Sequence, residues 1–237
     1  MAVLAERLVE APAPAAVPPL ENGDHLDQPT FHERYEAMPP DIAAELVGGI
    51  VYMPSPVRRK HGRHSGKISV WLDAYEAETP GVEAYDNATT ILGEDSEPQP
   101  DAALLISPEC GGQTAVENDY IVGAPELVVE VASATESYDL HVKLRDYERA
   151  GVREYVVVVL RQQRVLWFVN HGAGLEEVEV GPDQIHHSES FPGLWLDPAA
   201  LLRLDSKALR AALEQGLATA EHREFVERLA AARAPSG

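Results

Sequence analysis

Apolar and polar residues change period along the chain, and those changes mark its elements. Residues 1–28 carry no period and centre on APAPAAVPP. Proline removes backbone donors and blocks helix, so an extended or disordered N-terminal arm is expected there. Residues 30–38, TFHERYEAM, place Glu33 three residues after Thr30, a capping box that predicts a short helix ended by Pro39-Pro40. Residues 42–53, IAAELVGGIVYM, turn strand-like around Gly48-Gly49, a hairpin signal. Ile68, Trp71, Leu72 and Tyr75 recur at helical steps, predicting a helix over 61–79 that Pro80-Gly81 stops.

Downstream the period shortens. Residues 82–92 are rich in β-formers, 94–98 form an acidic turn, and 101–106 make a short apolar strand whose first residue is Asp101. Gly111-Gly112, Asn118-Asp119 and Gly123 predict a loop over 107–124. Residues 127–131 are nearly continuously apolar, as in strands buried on both faces. Leu140, Leu144 and Tyr147 stripe a helix over 139–150, with Gly151 as its C-terminal cap. EYVVVVL over 154–160 predicts a central strand, and 164–170 with 175–180 a hairpin. A short helix over 198–204 and a longer one over 206–232 follow. The latter, with Leu209, Leu213, Leu217, Phe225 and Leu229 apolar, either covers the domain or pairs with a second copy as a homodimer. The expected organisation is an arm over 1–28, one domain over 29–204 and a C-terminal helix within 205–237.

Composition narrows the class. The chain has 237 residues, room for one well-cored domain with extensions, and 45% hydrophobic residues. No apolar run approaches the roughly 20 residues of a membrane span, and the N-terminus lacks the pattern of a secretion signal. Cys110 is the sole cysteine, so neither an intrachain disulfide nor a thiolate metal cluster is expected, and a cytoplasmic location is the simplest reading. The net charge of −20 repels polyanions at long range. A nuclease therefore needs a local basic surface. Arg58, Arg59, Lys60, Arg63 and Lys67, interleaved with His61 and His64, supply one or else form a solvated loop and helix start.

Two acids stand out. Asp101 opens one short strand and Glu130 sits between Val129 and Val131 in another. A carboxylate buried there demands a metal, a cation or a proton. Adjacent strands lie about 5 Å apart, so the two acids can share a divalent ion such as Mg²⁺, which takes oxygen ligands. Otherwise Glu130 caps a loop or pairs with an arginine. Glu126 has the same side-chain parity and is a weaker candidate. Lys143, four residues after Asp139, is either half of a surface pair or an ammonium facing the strand ends, where it would stabilise charge on phosphorus. Glu45 is a solvated turn residue or a further carboxylate. His64 touches phosphate or begins a helix. His186-His187 has no spaced partner ligand and is read as surface. No G-x-S-x-G elbow and no G-x-x-x-x-G-K-[ST] loop occurs, which argues against a serine hydrolase of that type and against an ATPase.

In order, Glu45-Leu46-Val47-Gly48-Gly49, His64 at a helix start, Pro100-Asp101, residues 125–133 (PELVVEVAS), Asp139, Lys143, Tyr147 and Gly151-Val152-Arg153-Glu154-Tyr155 resemble the Uma-two restriction endonuclease family of the PD-(D/E)XK nuclease superfamily. The resemblance covers about residues 30–204, and Phe191-Pro192-Gly193-Leu194 fits the family's closing segment. It implies an α/β fold, a restriction-endonuclease-like core with a central mixed β-sheet flanked by helices. It also implies Asp101 and Glu130 as metal ligands, Glu45 as an additional acid and Lys143 as the catalytic lysine. The superfamily's commonest lysine position, two residues after the glutamate, holds Ala132 here, so Lys143 fits an arrangement in which the following helix supplies the ammonium. The chain departs from the family at Ala134, Val156 and Val159, away from the acids and the lysine. The implied activity is a Mg²⁺-dependent DNA endonuclease, with Mn²⁺ as a substitute ion and Arg58, Arg59, Lys60, Arg63, His64 and Lys67 contacting nucleic acid. The alternative is a nuclease-fold protein that binds nucleic acid or a protein partner without cutting.

Overall fold

The structure, a computed structural model, describes residues 17–54, 57–133 and 136–233. The first half of the expected arm, residues 1–16, lies outside them. From residue 17 on, the largely exposed segment is held to the domain at a few points. Leu20 is buried with Phe31, Ala44, Leu46 and Val51, and Leu26 N donates to Gly49 O at 2.9 Å.

In chain order, α1 (Gln28–Glu36) leads into the hairpin β1 (Glu45–Val47) and β2 (Ile50–Tyr52). Asp27, not Thr30, caps α1, its carboxylate accepting from Thr30 N at 3.0 Å. Gly48 and Gly49 have φ of 59° and 77°, the left-handed pair that a two-residue hairpin turn needs. Helix α2 (Arg59–Glu76) carries Ile68, Trp71, Leu72 and Tyr75 on its buried face, as its period requires. The β-rich stretch expected over 82–92 is two strands, β3 (Val82–Asp86) and β4 (Thr90–Ile91), in different sheets. The break falls at Asn87, whose φ of 51° turns the chain.

Strand β5 (Ala102–Ile106) follows. The expected loop over 107–124 contains a short 3₁₀ turn and a hairpin, β6 (Ala115–Glu117) and β7 (Tyr120–Val122), joined by Asn118-Asp119, both at positive φ. Then come β8 (Leu127–Glu130), a π-helical turn (Tyr138–Lys143), α3 (Leu144–Ala150), β9 (Glu154–Val159), β10 (Arg164–Asn170) and β11 (Leu175–Val178). Gly151, at φ 92°, closes α3 with its N–H on Tyr147 O. The chain ends with β12 (His186–His187), β13 (Trp195–Leu196), α4 (Pro198–Arg203), α5 (Ser206–Leu217) and α6 (Ala220–Ala232). The single C-terminal helix expected over 206–232 is thus two. Thr219 breaks it by capping α6, its side chain accepting from His222 N.

The central sheet runs β11-β10-β9-β8-β5-β3. Its β8–β9 pair is parallel and its other pairs antiparallel, so the sheet is mixed. Alternation along the strands divides the core. Leu104, Leu127, Val129, Val156 and Val158 pack against α2, α4, α5 and α6. Val128, Tyr155, Val157 and Phe168 pack against Tyr147 of α3. Leu209, Leu213, Phe225 and Leu229 are buried in the first of these layers, so both C-terminal helices cover the domain. No helix among the described residues is long and apolar enough to cross a membrane.

Candidate active site

The parity that places Val128 on the α3 face places Glu130 there too. In the antiparallel β5–β8 ladder Ala102 pairs with Val129. Asp101 directly precedes Ala102 and Glu130 directly follows Val129, so both acids stand at the same end of that ladder. Asp101 is fixed by the strand it faces, since Val131 N donates to its Oδ2 at 2.7 Å. The lysine arrives from the π-helical turn after β8. A π turn carries one extra residue per turn, is rare, and concentrates at functional positions. This one ends at Lys143, whose side chain is 4% exposed.

Lys143 Nζ donates to Glu130 Oε1 at 2.7 Å and to Glu45 Oε1 at 2.8 Å. Tyr147 OH, one turn on, donates to the same Glu130 oxygen at 2.9 Å. Glu45 Oε1 also accepts from Gln99 N at 2.8 Å. Burial opposes the charge on Lys143, but the carboxylates of Glu130 and then Glu45 outweigh it and hold the ammonium well above its ordinary pKa. Burial likewise pushes the Glu130 carboxyl up, and the ammonium opposes that push. His61, from the first turn of α2, points at the same cluster, with Nε2 3.2 Å from Asp101 Oδ2. That hydrogen bond raises the imidazole pKa above its usual 6.5 against the effect of burial.

Glu45, His61, Gln99, Asp101, Glu130 and Lys143 line one cavity of about 770 Å³, together with the buried Asp139 and the aromatic side chains of Tyr52 and Tyr138. Asp101, Glu130, Lys143 and Glu45 therefore converge. The basic run does not act as one surface. Arg58 lines the cavity, as does His61. Arg59, Lys60 and Arg63 are exposed beside it. Lys67 borders a different groove, between α2 and α5. His64 is buried, with Nδ1 2.8 Å from Lys60 O one turn earlier, and it does not line the cavity. Glu126 lies at the far end of β8, where its carboxylate accepts from Ile106 N at 2.9 Å and Gln113 N at 3.0 Å and anchors the loop after β5. His186 is buried against the Trp167 ring and His187 is exposed.

His61, Tyr52 and Tyr138 are the cavity residues that sequence patterning leaves without a role. His61 was visible only as part of a charged run, and nothing local distinguishes it from His64. Which of the two faces the cavity is decided by the roll of α2 on the sheet.

The donor set suits a divalent cation. Among the described residues, the contacts to Asp101 fall on Oδ2, those to Glu130 on Oε1 and those to Glu45 on Oε1. The second oxygen of each remains as the donor a cation would take. No group of three or more His, Cys, Asp or Glu side chains among the described residues is gathered as a metal cluster. Mg²⁺ commonly takes one or two carboxylates and completes its shell with water and substrate phosphate.

Fold and sequence comparisons place the chain among known proteins. The mixed sheet with helices on both faces is the restriction-endonuclease-like fold. It matches the crystal structure of a "putative nuclease belonging to DUF820" from Anabaena variabilis with a TM-score of 0.59 and 16% sequence identity, covering 72% of this chain and 97% of that one. No curated protein matches the sequence. The Uma2 family model, described as "Putative restriction endonuclease", matches residues 30–199, and the chain belongs to that family.

Proposed function

We propose that the protein is a metal-dependent endonuclease that hydrolyses phosphodiester bonds in DNA, with its centre at Asp101, Glu130 and Lys143. The observation that carries this reading is the Lys143 ammonium 2.7 Å from Glu130, with Asp101 at the same end of the β5–β8 ladder. Asp101 and Glu130 would hold Mg²⁺, or Mn²⁺ in its place. When bound, the ion polarises the phosphate and lowers the pKa of a water ligand.

The chain's own groups do the rest. Lys143 keeps its proton because two carboxylates face it, so it offers a fixed positive charge to the phosphoryl oxygens as charge builds on them. Tyr147 and Glu45 hold Glu130 and Lys143 in register through the bonds described above. Arg58 at the cavity wall, with Arg59, Lys60 and Arg63 beside it, holds the flanking backbone phosphates. The buried free thiol of Cys110 accords with a cytoplasmic location.

The test is cleavage of supercoiled plasmid, single-stranded DNA and RNA with Mg²⁺ or Mn²⁺, comparing wild type with Asp101→Asn and Lys143→Gln. Cutting that EDTA abolishes, and that each variant lowers by about 100-fold or more, supports the proposal. Cutting that the variants leave intact, or no cutting of any substrate, overturns it. A binding protein that does not cut is the reading the −20 charge favours, and the second of those outcomes would select it.

A further inference from the structure

Beside its acidic and polar end the cavity has an aromatic and apolar wall. Lys143 Nζ sits 5.5 Å from the centroid of the Tyr138 ring. Tyr138 in turn packs on Tyr52, with ring centroids 4.3 Å apart and planes tilted by 44°. Tyr52 is half-buried at the end of β2 and lines the cavity. The chain leaving it adds Met53, Pro54 and Val57 to the same wall, and Val57 is 72% exposed. A continuous path of ring contacts therefore leads from the proposed catalytic ammonium to an aromatic side chain on the cavity wall.

That wall has the wrong chemistry for the outside of a duplex. Paired DNA presents phosphates and sugars outward and keeps its base faces stacked inside, so a protein that grips it needs cations and hydrogen-bond donors. Here Arg58 is the cation beside the aromatic stretch, and the four acids of the cavity, Glu45, Asp101, Glu130 and Asp139, outnumber its basic residues Arg58, His61 and Lys143. An unpaired nucleotide is different. Its base offers a bare π-face, and aromatic side chains are the usual platform for it.

We infer that Tyr52 is a stacking platform for an unpaired base and that single-stranded nucleic acid is the preferred substrate of this centre. The inference deepens the hydrolytic reading and rests on it for the chemistry. Binding to Tyr52 can nonetheless be read separately. Stacking does not read the sugar, so DNA and RNA strands share the platform.

The experiment compares three probes: a short 5′-labelled DNA strand, the same strand annealed to its complement, and RNA of the same sequence. Cleavage rates in Mn²⁺ and fluorescence anisotropy in Ca²⁺ are measured for wild type, Tyr52→Leu and Tyr52→Phe, each checked for an unchanged Tm. Leucine keeps apolar volume without a flat ring, and phenylalanine keeps the ring without the hydroxyl. The expected result is a strand cut and bound at least about 10-fold better than the duplex. Tyr52→Leu should lower both by about 10-fold while Tyr52→Phe stays near wild type. RNA that follows the DNA strand in these comparisons also supports the inference. A duplex handled as well as the strand, or a Tyr52→Leu protein that equals Tyr52→Phe, overturns it. If wild type cuts none of the three probes, the hydrolytic reading fails. Strand binding weakened by Tyr52→Leu would then still support the platform, and absence of strand binding would overturn it.

Discussion

Lys143 reaches Glu130 across 13 residues of chain to place its ammonium 2.7 Å from the carboxylate, with both residues nearly fully buried. The pair unites a strand end with the helix that follows it. It puts a positive charge where the superfamily's commonest lysine position holds Ala132, itself fully buried.

Removing one half of such a pair strands the other. Lys143→Ala should destabilise the metal-free protein by about 3 kcal/mol near neutral pH. Glu130 then lies buried without its cation, and burial raises its pKa above 4.5. A carboxyl raised in the folded state favours folding below its unfolded pKa and loses that contribution as pH rises through the folded value. The deficit of the variant should therefore shrink as pH falls toward 4.5 and grow toward neutrality. Urea melts in EDTA across that range check this, and a Glu130→Gln, Lys143→Met double variant should recover most of the loss.

The C-terminal helices are part of the domain. Gly216 of α5 lies against the carbonyl of Gly193 and the ring of Trp195, where a Cβ would overlap both. Neither neighbour is the free end of a flexible side chain. Gly216→Ala should cost about 2 kcal/mol by prising α5 off the β12–β13 hairpin. Removal of residues 206–237 should leave an insoluble or unfolded chain, because it uncovers the face on which Leu209, Leu213, Phe225 and Leu229 are packed. Thermal melts and solution mass measurements check both.

Two histidines link folding to acid. Burial holds His222 and His186 below 6.5. Their contribution is complete above 6.5 and is lost as pH falls through their folded values, because the unfolded chain takes up protons first. In a His222→Gln protein that part of the acid sensitivity should disappear. Its Tm deficit against wild type should be larger at about pH 7.5 than at about pH 5.5.

Arg58 stands at the cavity wall and carries no proposed chemistry. Arg58→Ala should raise KM with kcat nearly unchanged. It should also flatten the dependence of log affinity on log salt by about 0.7 for a single strand, the signature of one lost phosphate contact. Strand binding measured over a salt series checks it.

Much of this fold was legible in the sequence because its central strands are buried on both faces and its helices on one. The continuous apolar runs of residues 127–131 and 154–160 and the helical stripe of residues 68–75 carried that information. Asp101 and Glu130 were legible because an acid at the head of an apolar strand, or inside one, needs a partner. What was not legible depends on long-range register or on one-residue irregularities. The stripe Leu140, Leu144 and Tyr147 fits an ordinary helix, and it cannot reveal that the segment begins as a π turn. The Asn118-Asp119 turn signal was present but lay among glycines that read as loop. Thr219 offered a cap inside a run otherwise apolar at helical spacing, and the run hid it. The burial of His64 and the opening of His61 onto the cavity, from one charged stretch, depend on how α2 rolls against the sheet.

The central claim is that Asp101 and Glu130 share one divalent ion beside Lys143. A crystal structure of the protein in Mn²⁺, with an anomalous difference map at the manganese edge, tests it most directly. The account predicts a peak within about 2.5 Å of a carboxylate oxygen of both Asp101 and Glu130, lost in Asp101→Asn crystals. A map with no peak there at saturating Mn²⁺, or with a peak held by other residues, would contradict it.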